Sequence, residues 1–137
     1  AENGLGLARM RGDSTLRLKK QLPEHAVVGN PLDLVGDADS ERYALALETA
    51  IADPNVDAIL CIVLFQTTNV QSEIVDVISE FNDRRAKPIV ACSAGGSYSK
   101  LHTTNLEKLG IPVYDSPHRA AKALWALNRY AQLKGRL

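Results

Sequence analysis

Two hydrophobic patterns alternate along the chain from residue 40 onward. Unbroken apolar runs occupy residues 58–64 and 89–92, and such runs are typical of strands buried on both faces of a parallel sheet. Elsewhere, apolar residues recur at spacings of three and four, which predicts amphipathic helices. The predicted helices cover residues 41–52, about 70–84, about 97–109, and 117 to about 133.

The predicted helix boundaries carry capping residues. Ser40 is the predicted N-cap of the first of these helices, and the nearby Asp39 is favourable at a positive helix end. Ser116 and Pro117 are the predicted N-cap and first residue of the last helix. Gly110 is expected to end the helix before it.

The N-terminal part gives weaker signals. A helix is predicted from Thr15 to about Leu22, with Asp13 or Ser14 as its cap and Leu16, Leu18 and Leu22 on its apolar side. Short strands are expected at residues 5–8 and 26–28. Residues 1–4 resemble the end of a helix with a glycine stop, so the chain is expected to begin inside a larger fold.

The order of elements predicts the fold class. Residues 111–114 are predicted to form a short strand, and its proline favours a position at a sheet edge. From residue 58 onward, the order strand, loop and helix occurs three times. This order predicts a single α/β domain over residues 1–137, with a parallel sheet and helices on both faces. Ligands bind such sheets at the carboxyl ends of the strands. The candidate segments at that edge are residues 29–40, 65–69, 93–97 and 114–116.

Composition narrows the classes of partner. Sixteen basic and sixteen acidic residues balance, so charge gives no support for nucleic-acid binding. No apolar run approaches the ~20 residues of a membrane span. Cys61 and Cys92 lie in apolar runs and are expected to be free, buried thiols, which suits a reducing cytoplasm.

Two loops could bind an anion. Gln66, Thr67 and Thr68 precede one predicted helix, and Gly95 and Gly96 precede the next. Backbone N–H groups at helix N-termini bind phosphates and carboxylates, and glycines allow a ligand to approach the backbone. The same residue types also make ordinary turns and caps, so the residues alone leave both interpretations open.

Other chemical signals are weaker. The Gly95-Gly96 pair lacks the lysine of a phosphate-binding Walker loop. Asp33, Asp37 and Asp39 could bind a hard cation, but helix capping explains two of them. Asp33 is expected to brace its own loop through backbone N–H groups.

The three histidines do not have the spacing of a metal site. His25 is expected in a surface turn, and His118 in the first turn of the last helix. His102 is expected at a solvated helix position rather than in a catalytic role. No catalytic residue and no metal ligand is therefore predicted in this chain.

Several motifs together resemble a known family. Asn-Pro-x-Asp-Leu-x-Gly-Asp-Ala at residues 30–38, followed by Glu41-Arg42-Tyr43, is similar to the C-terminal flavodoxin-like domain of NDP-forming acyl-CoA synthetases. The likeness continues through residues 53–60, 87–90, the Gly95-Gly96 turn, residues 109–114 and residues 117–130. It is nearest to the ADP-forming acetate–CoA ligase branch and more distant from succinyl-CoA synthetase.

The resemblance implies a part of a larger enzyme. Such enzymes convert acyl-CoA, ADP and phosphate into acid, CoA and ATP, through an acyl phosphate and a phosphohistidine on another domain. The implied partners are CoA-binding and ATP-grasp domains or subunits in an oligomer. CoA, ADP or ATP, and Mg²⁺ belong to the full enzyme, and none is expected to bind this domain alone.

The resemblance also carries expectations for this chain. The flavodoxin-like fold is expected to lack its first strand and helix, with a glycine-rich turn just before Ala1, and the isolated chain is expected to be inactive. Relatives often have a proline- or glycine-containing loop where this chain has Phe65-Gln66-Thr67-Thr68. The predicted phosphate- or acyl-binding residues are Asn30, Pro31, Asp33, Gln66, Thr67, Thr68, Gly95 and Gly96.

Two other functions remain open. The same domain set occurs, without catalysis, as a regulatory module fused to protein acetyltransferases. A free-standing flavodoxin-like receiver or flavoprotein is a weaker hypothesis, because no receiver-type acidic cluster followed by a lysine is evident. The parent open reading frame distinguishes the first two, by an ATP-grasp partner or an acetyltransferase domain.

Overall fold

The computed structural model describes residues 4–66 and 72–135. Helices and strands alternate from the second helix onward, as the hydrophobic pattern predicts. The elements are α1 (Gly12–Gln21), α2 (Ser40–Ala52), β1 (Ile59–Ile62), α3 (Glu73–Asp83), β2 (Ile89–Cys92), α4 (Ser97–Lys108), β3 (Val113–Tyr114) and α5 (Pro117–Lys134).

The described strands form one parallel sheet in the order β1-β2-β3. Ile59 lies opposite Ile89, and Ala91 lies opposite Val113. The short strand β3 is at an edge, as its proline-containing approach predicts. The predicted α/β fold class is therefore confirmed.

Helices cover both faces of the sheet. On one face, a large cluster joins residues of α2, α3 and α4, such as Leu47, Ile78 and Leu106, to the sheet. On the other face, Ala120 and Leu124 of α5 pack against β2. The parallel strands place all their carboxyl ends at one edge, between the starts of these helices.

The strand β1 is not buried on both faces, contrary to the prediction. Cys61 and Val63 are buried, whereas Ile62 and Leu64 are 52% and 50% exposed. Within the described residues, β1 pairs only with β2, and α5 is the one helix packed on that face. The apolar run correctly predicts the strand, but its neighbours determine how much of it is covered.

The N-cap of α2 is Asp39, not Ser40. The Asp39 carboxylate accepts a 3.0 Å hydrogen bond from the N–H of Arg42, and Ser40 is the first helical residue. The predicted cap of α5 is confirmed, because the Ser116 hydroxyl accepts from the N–H of Arg119 and Pro117 begins the helix.

The helix α1 begins earlier than predicted, and neither Asp13 nor Ser14 caps it. Arg11 is the N-cap and makes no side-chain capping bond. Its own N–H donates to the Asp53 carboxylate at 2.8 Å. This bond fixes the backbone at Arg11, and the helix begins at the next residue, Gly12, about one turn before the predicted start at Thr15. Leu18 is buried as predicted, but Leu16 is 53% exposed.

The predicted short strands near the N-terminus are wrong. Residues 5–8 form no strand, and residues 26–28 contribute only an isolated antiparallel bridge between Val27 and Asp33. The spacing of apolar residues in the last helix predicts that Trp125 and Tyr130 lie on its apolar side with Ala120 and Leu124, but they are 40% and 63% exposed. Gly110 has a φ of +80°, which supports its predicted role in ending α4.

Candidate functional site

The start of α4 lies at the carboxyl edge of the sheet, directly after β2 and the Gly95-Gly96 turn. Gly96 is the N-cap and offers no side-chain hydrogen bond, and no acidic residue lies in the first turn. The first N–H groups of a helix have no partner within it, and they carry the positive end of the helix dipole. This helix start can therefore accept an anion.

The start of α3 differs in charge. Glu73 and Asp76 lie in its first turn, and Ser72 makes no side-chain capping bond. These carboxylates offset the positive end of the helix dipole and repel a bound anion. Of the two helix starts that the sequence proposes for anions, α4 is the one without competing negative charge.

Gly95 lies at the point where two polar side chains converge. A Cβ atom added to Gly95 would stand 2.2 Å from the Ser99 Oγ and 2.9 Å from the Gln66 Nε2. The backbone of the turn can occupy this position only because glycine has no side chain. The structure thus brings together Gln66 and Gly95, two of the predicted site residues.

Three aromatic rings pack together next to this edge of the sheet. The His102 ring lies on Phe65, with centroids 4.7 Å apart, and meets the edge of Tyr98 at 4.9 Å. His102 is only 6% exposed, so the predicted solvated position is wrong. The apolar ring of Phe65 covers it. His25 is exposed, as predicted, and His118 lies in the first turn of α5, as predicted.

The loop 29–36 forms a separate groove. With β1 and α2 it encloses about 490 Å³, lined in part by Asn30, Pro31 and Asp33. The Asn30 amide donates to the Ala8 carbonyl at 2.9 Å. The Asp33 carboxylate accepts from the N–H of Val35 at 2.8 Å, which confirms its predicted role as a brace.

The end of this loop carries an ion-pair cluster. Arg42 donates to both carboxylate oxygens of Asp37, at 2.7 and 3.4 Å, and the His25 ring lies 3.4 Å from the same carboxylate. The Arg42 hydrogen bond holds the pKa of Asp37 below its usual value. This carboxylate is thus engaged by neighbouring cations, which removes one member of the possible cation site.

Buried groups elsewhere are chemically quiet. Burial raises the pKa of the Cys61 thiol to about 12 and also raises that of Cys92, so neither thiol has the character of a nucleophile. In residues 4–66 and 72–135, no three His, Cys, Asp or Glu side chains lie together as a metal site would require. No helix in that part of the chain is long and apolar enough to cross a membrane.

The predicted site residues therefore fall into two places. Gln66, Gly95 and Gly96 lie at the start of α4, whereas Asn30, Pro31 and Asp33 line the groove beside β1. Thr67 and Thr68 lie outside the described residues. Sequence reasoning missed Ser99. This residue lies in the first turn of α4, four positions after Gly95, and its side chain lies next to Gly95.

The chain matches known proteins over its whole length. The model of the Ligase-CoA domain family matches residues 1–137. The alpha subunit of acetate–CoA ligase (ADP-forming) II of Pyrococcus furiosus is 32% identical over 140 residues, which cover 98% of this chain and 30% of that subunit.

Solved structures agree. The crystal structure of PH0766 from Pyrococcus horikoshii OT3 has a TM-score of 0.84 and 32% identity, covering 92% of this chain and 30% of that one. The dinucleotide forming acetyl-coenzyme A synthetase 1 of Candidatus Korarchaeum cryptofilum, in complex with phosphate and ADP, has a TM-score of 0.78 and 31% identity, covering 96% and 29%. This chain spans about a third of the length of these relatives.

Proposed function

The chain belongs to the Ligase-CoA domain family, and on this premise we propose that it acts as one domain of an ADP-forming acyl-CoA synthetase. The complete enzyme converts acyl-CoA, ADP and phosphate into acid, CoA and ATP. CoA-binding and ATP-grasp domains or subunits supply the CoA and nucleotide sites. The resemblance in the motifs at residues 30–38 and 87–96 supports this assignment, as does the relative named as an ADP-forming ligase subunit.

The start of α4 is the observation that carries the proposal. Its N–H groups, the Gly95-Gly96 turn and the absence of an acid from its first turn suit the acyl carboxylate or the phosphoryl group. Gln66 adds an amide beside Gly95. Fixed donors of this kind stabilise the negative charge that develops during acyl and phosphoryl transfer.

The domain acts by electrostatics rather than by a nucleophile of its own. An acyl phosphate forms in the proposed reaction, and a histidine on another domain carries the phosphoryl group to ADP. His102 is not that histidine in this proposal, because its ring is buried beneath Phe65 and Tyr98. In this proposal, the groove lined by Asn30, Pro31 and Asp33 forms one wall of the phosphoryl-transfer site, and other domains form the opposite wall. The groove is separate from the start of α4.

The test uses the full-length protein that contains these residues. We expect it to form ATP from acetyl-CoA, ADP and phosphate. We expect Gly95→Ala to lower kcat about tenfold or more, because the added Cβ clashes with the Ser99 Oγ and displaces the turn and Gln66 from their positions at the start of α4. Gly12→Ala is the matched control, because Gly12 is the first residue of α1 and a Cβ there meets no atom within 4 Å. Thermal melting verifies that each variant is folded.

Other outcomes decide against the proposal. A folded full-length protein that forms no ATP, and that carries a protein acetyltransferase domain, indicates the regulatory module instead. Turnover by residues 1–137 alone contradicts the proposed dependence on partner domains.

A further inference from the structure

A second cavity lies beside the Gly95-Gly96 turn. It encloses about 460 Å³ between α4 and the start of α5, next to the edge strand β3. Ser93, Ser99, Lys100 and Arg119 are among its lining residues. None of the groove residues beside β1 takes part in it, so this cavity is separate from that groove.

Two hydroxyl groups at this cavity have no hydrogen-bond partner. Ser93 and Ser99 are 7% and 2% exposed, and the Oγ atom of each is buried and unpartnered within the described residues. Buried polar groups are nearly always hydrogen-bonded, and an unpartnered one costs free energy. A rotation about χ1 presents a serine hydroxyl in a new direction, so a ligand oxygen in the cavity can supply the missing partner.

The third residue of α4, Ser99, lines the same cavity. This helix is 12 residues long, and neither a capping side chain nor an acid in its first turn satisfies its first N–H groups, which include that of Ser99. Ser93 precedes the turn, and Ser99 follows it in the first turn of the helix. Hydroxyl and backbone donors therefore face one space from both sides of Gly95-Gly96.

The charged groups at the cavity include two cations and two carboxylates. Asp115 accepts from the Arg119 Nη1 at 3.0 and 2.9 Å, and no hydrogen bond in the described part of the chain uses the Nη2 of that guanidinium. Glu107 lies seven residues beyond Lys100, which is about 10 Å further along the helix axis. Asp115 follows Tyr114, whose carbonyl accepts from the Ser93 N–H. Near the turn, Lys100 and Arg119 are therefore opposed by one carboxylate, which leaves one positive charge in excess.

We propose that this cavity binds a phosphate group, either free or as a monoester. The Ser93 and Ser99 hydroxyls and the N–H of Ser99 donate to its oxygens, together with Lys100 and the Nη2 of Arg119. This set of donors suits a phosphate monoester, which presents three strong acceptor oxygens, better than a carboxylate, which presents two. This site does not depend on the proposed acyl-CoA synthetase function.

The test is calorimetric titration of the 137-residue chain with inorganic phosphate, with glycerol 1-phosphate and with acetate, at constant ionic strength. We expect saturable one-to-one binding of a phosphate and weaker binding of acetate. The tighter of the two phosphates shows whether the natural ligand is free or esterified. Lys100→Gln should weaken binding about tenfold, because it removes a hydrogen bond to a charged group. Lys108→Gln, at the other end of α4, should leave binding unchanged.

Ser93→Ala and Ser99→Ala distinguish ligand binding from a structural role. If the hydroxyls are unpartnered without ligand, each variant should unfold at the same or a higher temperature in phosphate-free buffer, and each should bind phosphate more weakly. The proposal is overturned by the absence of saturable binding, by acetate binding as tightly as phosphate, or by an equal loss in Lys108→Gln. A clear drop in stability of both serine variants without ligand also overturns it, because the hydroxyls are then structural.

Discussion

Phe65 and His102 stack face to face, with ring centroids 4.7 Å apart and 15° between their planes. Phe65 follows β1, and His102 lies in the second turn of α4, so the contact joins two segments that are 37 positions apart in the chain. Both side chains are buried. The stack thus fixes the start of α4 relative to the carboxyl end of β1, which positions Gln66 against Gly95.

The first prediction concerns the two ring nitrogens of His102. Both are buried without a partner in the described part of the chain, which costs about 1–3 kcal/mol relative to an apolar group. Loss of the stacking costs about 0.5–1.5 kcal/mol. His102→Leu should therefore unfold in urea with a free energy within about 1 kcal/mol of the wild type, or higher.

His102→Ala is the companion variant. It removes the same nitrogens but leaves a cavity beneath Phe65, so we expect it to lose about 2 kcal/mol or more. If His102→Leu loses as much as His102→Ala, the imidazole makes a hydrogen bond in solution and the argument fails.

The second prediction concerns the two glycines of the turn. A Cβ at Gly95 would stand 2.2 Å from the Ser99 Oγ, whereas a Cβ at Gly96 meets no atom within 4 Å. Overpacking typically costs about 1–3 kcal/mol, so Gly95→Ala should lower the free energy of unfolding by that amount. Gly96→Ala should change it less. Equal losses in chemical denaturation would show that steric contact does not explain the requirement for Gly95.

Much of this architecture could be predicted from local pattern, and the exceptions have physical causes. The runs at residues 58–64 and 89–92 correctly predict two neighbouring strands, because an uninterrupted apolar run suits few other structures. The exposure of Ile62 could not be predicted, because it depends on which helices cover the sheet. His102 was misplaced for a similar reason: its neighbours in sequence are polar, and only the fold brings Phe65 onto it.

For the candidate site, the sequence offers residue types but not their arrangement. A glycine pair before a helix is compatible with anion binding, and α4 has such a start, but the anion site itself stays a prediction. Sequence order could not show that Asn30 and Asp33 belong to a groove apart from Gly95, because that separation arises from the layout of the sheet. Ser93 and Ser99 are common residue types, and only their burial without partners distinguishes them.

The third prediction tests the cap of α2. Asp39 accepts from the N–H of Arg42 at 3.0 Å, whereas Ser40 is already helical. Asp39→Ala should therefore lose about 1 kcal/mol of unfolding free energy. Ser40→Ala should lose less than about 0.5 kcal/mol, because alanine is a good helix former. The reverse order in thermal or urea unfolding would return the cap to Ser40.

The fourth prediction concerns acid stability and Asp53, which joins the start of α1 to the end of α2. Its carboxylate accepts from the N–H groups of Arg11 and Asn55 at 2.8 and 2.9 Å. Burial acts to raise the pKa of Asp53, but hydrogen bonds from Ser14, Asn55 and Arg11, with the nearby positive charge of Lys87, hold it below the ordinary 3.8. The folded state therefore binds this proton less readily than the unfolded state.

It follows that Asp53 stabilises the fold fully at neutral pH, and that this contribution is lost as the pH falls below about 3.8 and through the lower pKa of the folded state. Asp53→Asn should be less stable than the wild type at pH 7, and the difference should shrink on acidification from roughly pH 5 to pH 2. Asp57→Asn, in an exposed position four residues on, is the control and should follow the wild-type curve. Urea unfolding at each pH measures the difference, and a gap that stays constant or widens in acid would show that the charge of Asp53 is not what holds the two helices together.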